Sequence, residues 1–224
     1  MDFQKNKDLI FDEVSQAAEA AHRNKDSVTV IAVTKYVDSE TAEKLVETGI
    51  KHIGENRVDK FLDKYDALRE KKLTWHLIGS LQRRKVKEVI NLVDYFHALD
   101  SVKLAAEIQK RAEHPIKCFL QVNISEEASK HGFKTSEVLE ALEQMETFDK
   151  VEIVGLMTMA PFGASEEELS TIFKTANELR NQLQKKEFSN APMTELSMGM
   201  SGDFPIAIRE GSTFVRIGTS FFKE

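Results

Sequence analysis

The sequence has few of the residues that mark several common classes of protein. Its 224 residues include one cysteine, four prolines and one tryptophan. A single cysteine excludes an intrachain disulfide framework. Cys118 lies in the apolar run IKCFLQV, so we expect a buried and unreactive thiol. The segment MDFQKNKDLIFDEVSQ has no long apolar stretch, which argues against a signal peptide or a membrane span. We therefore expect a cytoplasmic protein with no membrane partner.

Basic charge is not in excess either. Lysine and arginine total 31 against 37 acidic residues, which gives a net charge of −6. Nucleic-acid-binding proteins usually carry a basic excess, so no nucleic-acid partner is predicted. The densest basic run, Arg83-Arg84-Lys85-Val86-Lys87, is interpreted as the solvated start of a helix. Hydrophobic residues make up 41% of the chain, which is typical of a globular protein.

Strand-like and helical segments alternate along the chain after an amphipathic helix at residues 3–23. The strand-like segments are rich in β-branched and apolar residues, and they lie at 28–35, 52–55, 74–79, 95–99, 117–123, 151–158, 194–198 and 214–219. Helical patterns separate them, at 40–48, 57–70, 83–92, 102–113, 135–146, 165–187 and near 203–210. Such alternation predicts a parallel sheet with right-handed crossovers.

Eight strand–helix units in this length predict an α/β fold, a single closed (β/α)8 TIM barrel. We assign residues 1–224 to one domain, with an N-terminal helix and linker at 1–27 and the eight units at 28–219. An open doubly wound sheet is the alternative. It would need a glycine-rich turn after the first strand, and TKYVDS is not one. No helix follows the eighth strand, so the N-terminal helix is expected to cover that place.

Nearly every predicted strand ends in a polar or small residue. Barrel enzymes place their chemistry at this end of the strands, so the pattern predicts a binding site there. SMGMSG and RIGT lie at the ends of the last two strands and in the loops after them, where barrels often bind phosphate. Glycines let backbone N–H groups approach an anion, and Ser197, Ser201, Gly218 and Thr219 complete a predicted cradle. The alternative is that Ser201 or Asp203 only caps the short helix.

Lys35 and Arg216 are the charged candidates at the predicted barrel mouth. Lys35 ends the first strand, where a partly desolvated lysine is nucleophilic toward an aldehyde. Arg216 shares a strand face with Phe214 and Gly218, which points it into the barrel. Its partner is either an acid, Glu55 or Asp100, or a ring nitrogen or carboxylate of a ligand. A phosphorylated aldehyde held between a lysine and an arginine describes pyridoxal 5′-phosphate (PLP).

Long motifs in the right order carry a resemblance to a known family. They are AVTKYVDSE, GENRVDKF, WHLIGSLQRRKV, VNISEEASKHGF, GLMTMAPF, LSMGMSGDFPIAIREG and VRIGTSFF, and they run from about residue 28 to the end. The chain resembles the pyridoxal phosphate homeostasis proteins. The resemblance implies PLP as the cofactor and a fold similar to the N-terminal barrel of bacterial alanine racemase. GENRV and GSLQRRK differ from the commoner GENYV and GPLQSNK, but only at the rim.

The resemblance also implies roles for individual residues. Lys35 is the internal aldimine lysine, and Arg216 faces the pyridine nitrogen. The remaining cofactor-binding residues are Ser201, Gly218 and Thr219 on the phosphate, Ser197 and Met200 beside it, Asn56 next to the cofactor, and His76 and Met157 lining the pocket. For His76 the alternative is a hydrogen-bonded histidine inside the barrel, and Met157 more simply packs. No metal ligand and no catalytic residue is predicted.

Three functions remain open at this level. The resemblance implies a carrier or buffer of PLP that maintains vitamin B6 and amino-acid homeostasis, expected to be a monomer, with PLP-dependent apoenzymes as acceptors. An arginine facing the pyridine nitrogen keeps it unprotonated, which limits carbanion stabilisation. A PLP-dependent racemase is the alternative, but it needs a second acid/base. Of Tyr36, Tyr65 and Tyr95, only Tyr36 lies near a strand end, and it is expected on the face away from Lys35. The third function is a barrel enzyme acting on a phosphorylated metabolite, with Lys35 as base.

Overall fold

The computed structural model describes residues 1–126 and 131–224, so part of the motif VNISEEASKHGF lies outside the described residues. The predicted alternation is confirmed. The strands are β1 (Thr29–Val33), β2 (His52–Glu55), β3 (Thr74–Leu77), β4 (Tyr95–Leu99), β5 (Ile116–Asn123), β6 (Phe133–Lys134), β7 (Val151–Met157), β8 (Glu195–Met200) and β9 (Phe214–Ile217). The helices are α1 (Phe3–Ala20), α2 (Ser39–Val46), α3 (Val58–Leu68), α4 (Val86–Val89), α5 (Val102–Arg111), α6 (Val138–Met145), α7 (Glu166–Gln184) and α8 (Phe204–Arg209).

The strands form a closed parallel barrel. Within the described residues, eight of them pair in the cyclic order β1-β2-β3-β4-β5-β7-β8-β9 and back to β1. The predicted (β/α)8 barrel is therefore confirmed, and the open doubly wound sheet is wrong. The two-residue strand β6 pairs only with β5, outside this ring. It was not predicted, because two residues are too short to show an alternating pattern.

Helix α1 occupies the place of a helix after the last barrel strand, as predicted. Its residues Ile10, Val14 and Ala18 are buried in an apolar cluster with the outward-facing residues Val215 and Ile217 of β9. The Nδ2 group of Asn6 donates to the backbone carbonyl oxygens of Phe221 and Lys223, at 3.0 and 2.8 Å. The first helix thus closes the ring of helices around β1 and β9.

Two helices end earlier than predicted, near a residue with a left-handed backbone conformation. Helix α1 was predicted to reach residue 23, but His22 has φ 57° and the helix ends at Ala20. Helix α7 was predicted to reach residue 187, but Glu187 has φ 56° and the helix ends at Gln184. The predicted cap Asp38 accepts a hydrogen bond from the Thr41 amide at 2.8 Å. Among the described residues, no helix combines the length and apolarity needed to cross a bilayer.

Cys118 lies inside the barrel wall, as predicted. Its side chain is fully buried, and its Sγ contacts the Ile116 carbonyl oxygen at 3.5 Å. Burial raises the pKa of the Cys118 thiol well above its usual value. Since the thiolate is the reactive form, burial disfavours reaction of this cysteine in the folded protein.

Candidate functional site

The strands that carry the predicted cofactor residues are neighbours in the barrel. β1 pairs with β2 on one side and with β9 on the other, and β9 pairs with β8. All are parallel, so Lys35, Asn56, Ser201 and Gly218 follow these strands at the same end of the barrel. The fold therefore brings together segments that are far apart in sequence, at the end where barrels bind their ligands.

Arg216 lies buried inside this end of the barrel, with 4% of its surface exposed. Its Nη1 donates to the Ser197 hydroxyl at 2.6 Å, and its Nη2 donates to the Thr158 carbonyl at 3.1 Å. Burial lowers the pKa of the guanidinium to about 10, and the nearby Asp203 carboxylate acts in the opposite direction. Arg216 is thus a buried cation held by neutral acceptors.

Neither of the two acids considered as partners of Arg216 pairs with it in the part of the chain that the structure describes. The Glu55 carboxylate pairs with Lys64 of α3 at 2.7 Å, on the outer side of the barrel. Within residues 1–126 and 131–224, neither Glu55 nor Asp100 forms an ion pair with Arg216. The interpretation of Arg216 as one half of an internal salt bridge is therefore wrong.

Ser197 connects Arg216 to the interior of the barrel. Its hydroxyl, fully buried, also bonds with Nδ1 of His97 at 2.7 Å. The ring of His76 bonds with His97 on one side and with His52 on the other, both at 2.9 Å. Both ring nitrogens of His76 are thus taken, which corresponds to the hydrogen-bonded barrel histidine considered from the sequence. The role of His76 in lining the cofactor pocket stays a prediction.

The loops after β8 and β9 contact each other directly. The Gly218 amide donates to the Ser201 hydroxyl at 3.3 Å. Asp203 stands at the N-cap position of α8, but its carboxylate accepts from the Met200 amide at 2.6 Å and caps no helical N–H. Gly199 has φ +99°, and a Cβ there would lie 2.8 Å from the Ala207 Cβ. Ser201 and Asp203 therefore order the loops rather than cap the helix.

Lys35 follows β1 and is half-buried. Its Nζ lies 4.7 Å from the centre of the Tyr36 ring, a cation–π contact, and Tyr36 is 80% exposed. The expectation that Tyr36 lies on the face away from Lys35 is therefore wrong. The preceding Thr34 is buried, and its hydroxyl donates to Glu55 Oε1 at 2.6 Å. The base of Lys35 is therefore fixed while its amine stays within reach of solvent.

The other predicted residues differ in their exposure. Asn56 is half-buried directly after β2, and a Cβ at Gly79 would overlap its carbonyl group. Met157, the last residue of β7, is buried in the apolar core. Met200 and Thr219 are exposed at the ends of their strands. Asn56, Met200 and Thr219 are thus accessible to solvent, whereas Met157 packs inside.

The buried ion pair between Glu55 and Lys64 was not predicted. It anchors the strand end that carries Asn56. Both side chains are at most 2% exposed. A signal was present in the sequence, because Lys64 lies at helical spacing from the apolar residues Phe61 and Leu68. A lysine on the buried stripe of a helix needs an acid beneath it.

The chain is similar to proteins of one family over almost its whole length. The family described as alanine racemase, N-terminal domain, matches residues 10–224. The pyridoxal phosphate homeostasis protein of Aquifex aeolicus is 38% identical over 218 residues, which cover 96% of this chain and 95% of that protein. The structure of PipY from Synechococcus elongatus PCC7942, described with PLP bound, is 32% identical, has a TM-score of 0.83, and covers 94% of this chain and 100% of its own.

A more distant likeness concerns the fold alone. Alanine racemase from Corynebacterium glutamicum is 12% identical, with a TM-score of 0.71 over 95% of this chain and 61% of the racemase. Both kinds of relative share the closed parallel barrel, and only the first kind shares the sequence. The chain therefore belongs to the pyridoxal phosphate homeostasis protein family, which has the barrel of the alanine racemase N-terminal domain.

Proposed function

We propose that this protein binds PLP, carries or buffers it, and so maintains vitamin B6 and amino-acid homeostasis. Curated relatives across 96% of the chain bear the name of this function, and a relative has been solved with PLP. The observation that carries the proposal is Arg216, a buried guanidinium whose hydrogen bonds within the described part of the chain go to neutral groups. It lies at the end of the barrel where Lys35 and the loops after β8 and β9 meet.

The donors at this end of the barrel fit the chemistry of PLP. A guanidinium has five N–H donors and no acceptor, so a group facing Arg216 must present a lone pair, as an unprotonated pyridine nitrogen does. Ser201, Gly218 and Thr219 supply hydroxyl and backbone N–H groups, which suit a phosphate. Arg216 would then hold the ring and the two loops the phosphate, with Ser197, Met200 and Asn56 beside them.

Lys35 would attach the cofactor covalently. PLP supplies an aldehyde that condenses reversibly with a primary amine and releases one water. Lys35 is half-buried just after β1, which pairs with the strand of Arg216, so its amine would reach the cofactor and still be open to exchange. This arrangement supports a carrier that can pass PLP to PLP-dependent apoenzymes, and we propose that it acts as a monomeric single domain.

The positions of the tyrosines favour a carrier over a racemase. Tyr65 lies on α3, outside the barrel, and its ring stacks on Phe61. Tyr95 begins β4 at the opposite end of the barrel and stacks on His76. Tyr36 is at the correct end but is largely exposed. A two-base racemase needs a positioned acid/base on each face of the cofactor, each typically contributing about 10²–10⁴-fold, so we propose that the protein is not an efficient enzyme.

A spectrum of the purified protein with added PLP, before and after borohydride, tests this proposal. We expect a visible band that borohydride removes, with the pyridoxyl group found on the peptide containing Lys35. Lys35→Ala should abolish the band. Lys44→Ala is the matched control, because Lys44 is an exposed lysine on α2 that pairs with Glu40. Attachment to another lysine in the native protein would contradict the assignment.

A further inference from the structure

A continuous row of hydrogen bonds runs through the barrel interior from Arg216 to its opposite end. Arg216 Nη1 bonds to Ser197 Oγ at 2.6 Å, and Ser197 Oγ bonds to His97 Nδ1 at 2.7 Å. His97 Nε2 bonds to His76 Nδ1, and His76 Nε2 bonds to His52 Nδ1, both at 2.9 Å. The three histidines come from the neighbouring strands β4, β3 and β2, and His52 is the first residue of its strand.

The middle of the row is sealed from water. His76 and His97 are fully buried. Tyr95 stacks on His76 with ring centres 4.8 Å apart, and Phe119 stacks on His97 at 4.4 Å. Burial holds the pKa of both imidazoles well below their usual value, so both are neutral at physiological pH. Within the described residues no group of side chains is placed to hold a metal ion, and these rings bond to one another instead.

In a row of neutral imidazoles, the hydrogen bonds must all run in the same direction from donor to acceptor. Each has one ring nitrogen that donates and one that accepts. If His76 carries its hydrogen on Nδ1, it donates to His97, which must then donate from its own Nδ1 to Ser197. If His76 carries it on Nε2, every bond is reversed, and the Ser197 hydroxyl donates to His97. The tautomers of His76 and His97 are therefore coupled, and both are tied to the direction of the Ser197 O–H.

We propose that His97, His76 and His52 are positioning residues, which set the direction of the Ser197 hydroxyl beside Arg216 according to the protonation of His52 at the opposite end of the barrel. A charged His52 carries hydrogens on both nitrogens, so its Nδ1 must donate to His76. Each ring then donates toward Ser197, and the Ser197 oxygen accepts hydrogen bonds from both His97 and Arg216. The hydroxyl hydrogen is freed for another acceptor.

With His52 neutral, the reverse direction is favoured. The Arg216 cation attracts the lone-pair ends of the imidazoles, so Ser197 donates into the row. When the neutral state changes to the charged one, one hydrogen moves along each bond of the row. Ser197 passes a hydrogen to His97, His97 passes one to His76, and His76 passes one to His52. Ser197 regains a hydrogen, so one proton from solvent is taken up in all, and the positive charge resides on His52.

His52 is accessible to solvent at the far end of the barrel. It lines a shallow surface pocket of about 370 Å³ together with Thr74, Asp94, Tyr95, His114 and Lys117. Burial lowers the pKa of His52, and the Asp94 carboxylate acts in the opposite direction. Within the described residues, the other ionisable side chains of this pocket are Asp94, Tyr95, His114 and Lys117, and His76 adjoins His52 within the row. His52 therefore gains its charge below the usual histidine value of about 6.5.

Histidine-labelled full-length protein, with 15N in the imidazole rings, tests the coupling without any cofactor. Long-range ¹H–¹⁵N spectra distinguish the two tautomers of each ring. We expect His76 and His97 to carry their hydrogens on the same ring position, and to change together between pH 7.5 and 5 with the midpoint of His52. Opposite tautomers, no titration of His52, or no response of the other two rings while His52 titrates would each overturn the proposal.

Two variants separate the row from a general effect of acid. His52→Gln keeps an amide that can donate or accept but cannot gain a charge, so the coupled change of His76 and His97 should be lost. His114→Gln removes an exposed histidine of the same pocket that lies outside the row, and the coupled change should persist. A coupled change that survives in His52→Gln would refute the role of His52.

The effect on the cofactor rests on the proposed function. The absorbance of bound PLP should show an inflection at the His52 midpoint in the wild type and in His114→Gln, and none in His52→Gln. A protein that binds no PLP would refute the proposed function and leave the coupling of the tautomers intact. If the protein binds PLP but the tautomers of His76 and His97 do not change together, only the proposed coupling along the row is refuted.

Discussion

Replacing Lys64 with methionine should destabilise the barrel more than any change at an exposed lysine. Lys64 Nζ lies 2.7 Å from Glu55 Oε1, and both side chains are at most 2% exposed. The same Oε1 accepts from the Thr34 hydroxyl, and Oε2 has no partner among the described residues. Lys64→Met therefore leaves a buried carboxylate with one neutral donor.

The expected loss follows from the cost of an unpaired buried charge. Removing one partner of a buried pair typically destabilises a protein by about 3–5 kcal/mol. A loss of about 4 kcal/mol, with a denaturant slope of about 2–3 kcal/mol/M, lowers the urea midpoint by about 1.3–2 M. Asn56 directly follows Glu55, so the variant should also release PLP more readily.

Urea unfolding of three variants checks the reasoning. Lys60→Met is the control on the same helix, since Lys60 is half-exposed and lies 3.7 Å from Asp63, and it should change stability by less than about 0.5 kcal/mol. Glu55→Leu combined with Lys64→Met removes both charges and should recover most of the loss, because apolar pairs often replace buried ion pairs without penalty. A loss below about 1 kcal/mol in Lys64→Met, or a double variant no better than the single one, would refute the argument.

Three further predictions concern the cofactor site and pH. Ser201→Ala with Thr219→Ala should weaken PLP retention on dialysis by about 1.5–3 kcal/mol for each charged hydrogen bond lost, with the circular dichroism unchanged; undiminished retention would place the phosphate elsewhere. Burial lowers the pKa values of His76 and His97 in the folded protein. Below about pH 6.5 these histidines therefore bind protons in the unfolded chain before they do so in the folded protein. The free energy of unfolding should then fall by up to about 1.4 kcal/mol per pH unit for each histidine, and urea midpoints that do not change from pH 7.5 to 5.5 would contradict this. The PLP-loaded protein should exchange the Cα hydrogen of L-amino acids in deuterated water more slowly than about 1 s⁻¹, and faster exchange or racemisation would overturn the carrier proposal.

The barrel could be predicted because its strands are apolar, β-branched and separated by amphipathic helices. Those patterns depend on local sequence, and the strands 52–55 and 95–99 were predicted with their observed bounds. Two of the errors depend on the backbone conformation of a single residue. His22 and Glu187 end their helices in left-handed conformations that side-chain type did not indicate. Strand β6 depends on its pairing with β5 and has no pattern of its own.

The residues of the candidate site could be predicted near the carboxyl ends of the strands, but not further inside the barrel. Ser197 and Arg216 stood out as polar residues near the ends of apolar strands. His97 and His52 occupy inward positions further down their strands, where a polar residue is informative only once the neighbouring strands are known. Their inward position is set by the alternation of each strand, but their mutual contacts depend on the register between strands.

The register between strands also gives Arg216 neutral partners, which suits a protein that binds and releases PLP. A buried guanidinium usually needs a carboxylate, yet Ser197 and the Thr158 carbonyl hold this one in place. Because no ion pair has to break, a ligand with a lone pair can join the existing acceptors and improve the solvation of the cation. In the proposed site, bound PLP would stabilise the folded state and would stay removable, because its attachment would depend on neutral contacts, a phosphate cradle and a reversible link to Lys35. The features that favour binding are therefore separate from the second acid/base that racemisation requires.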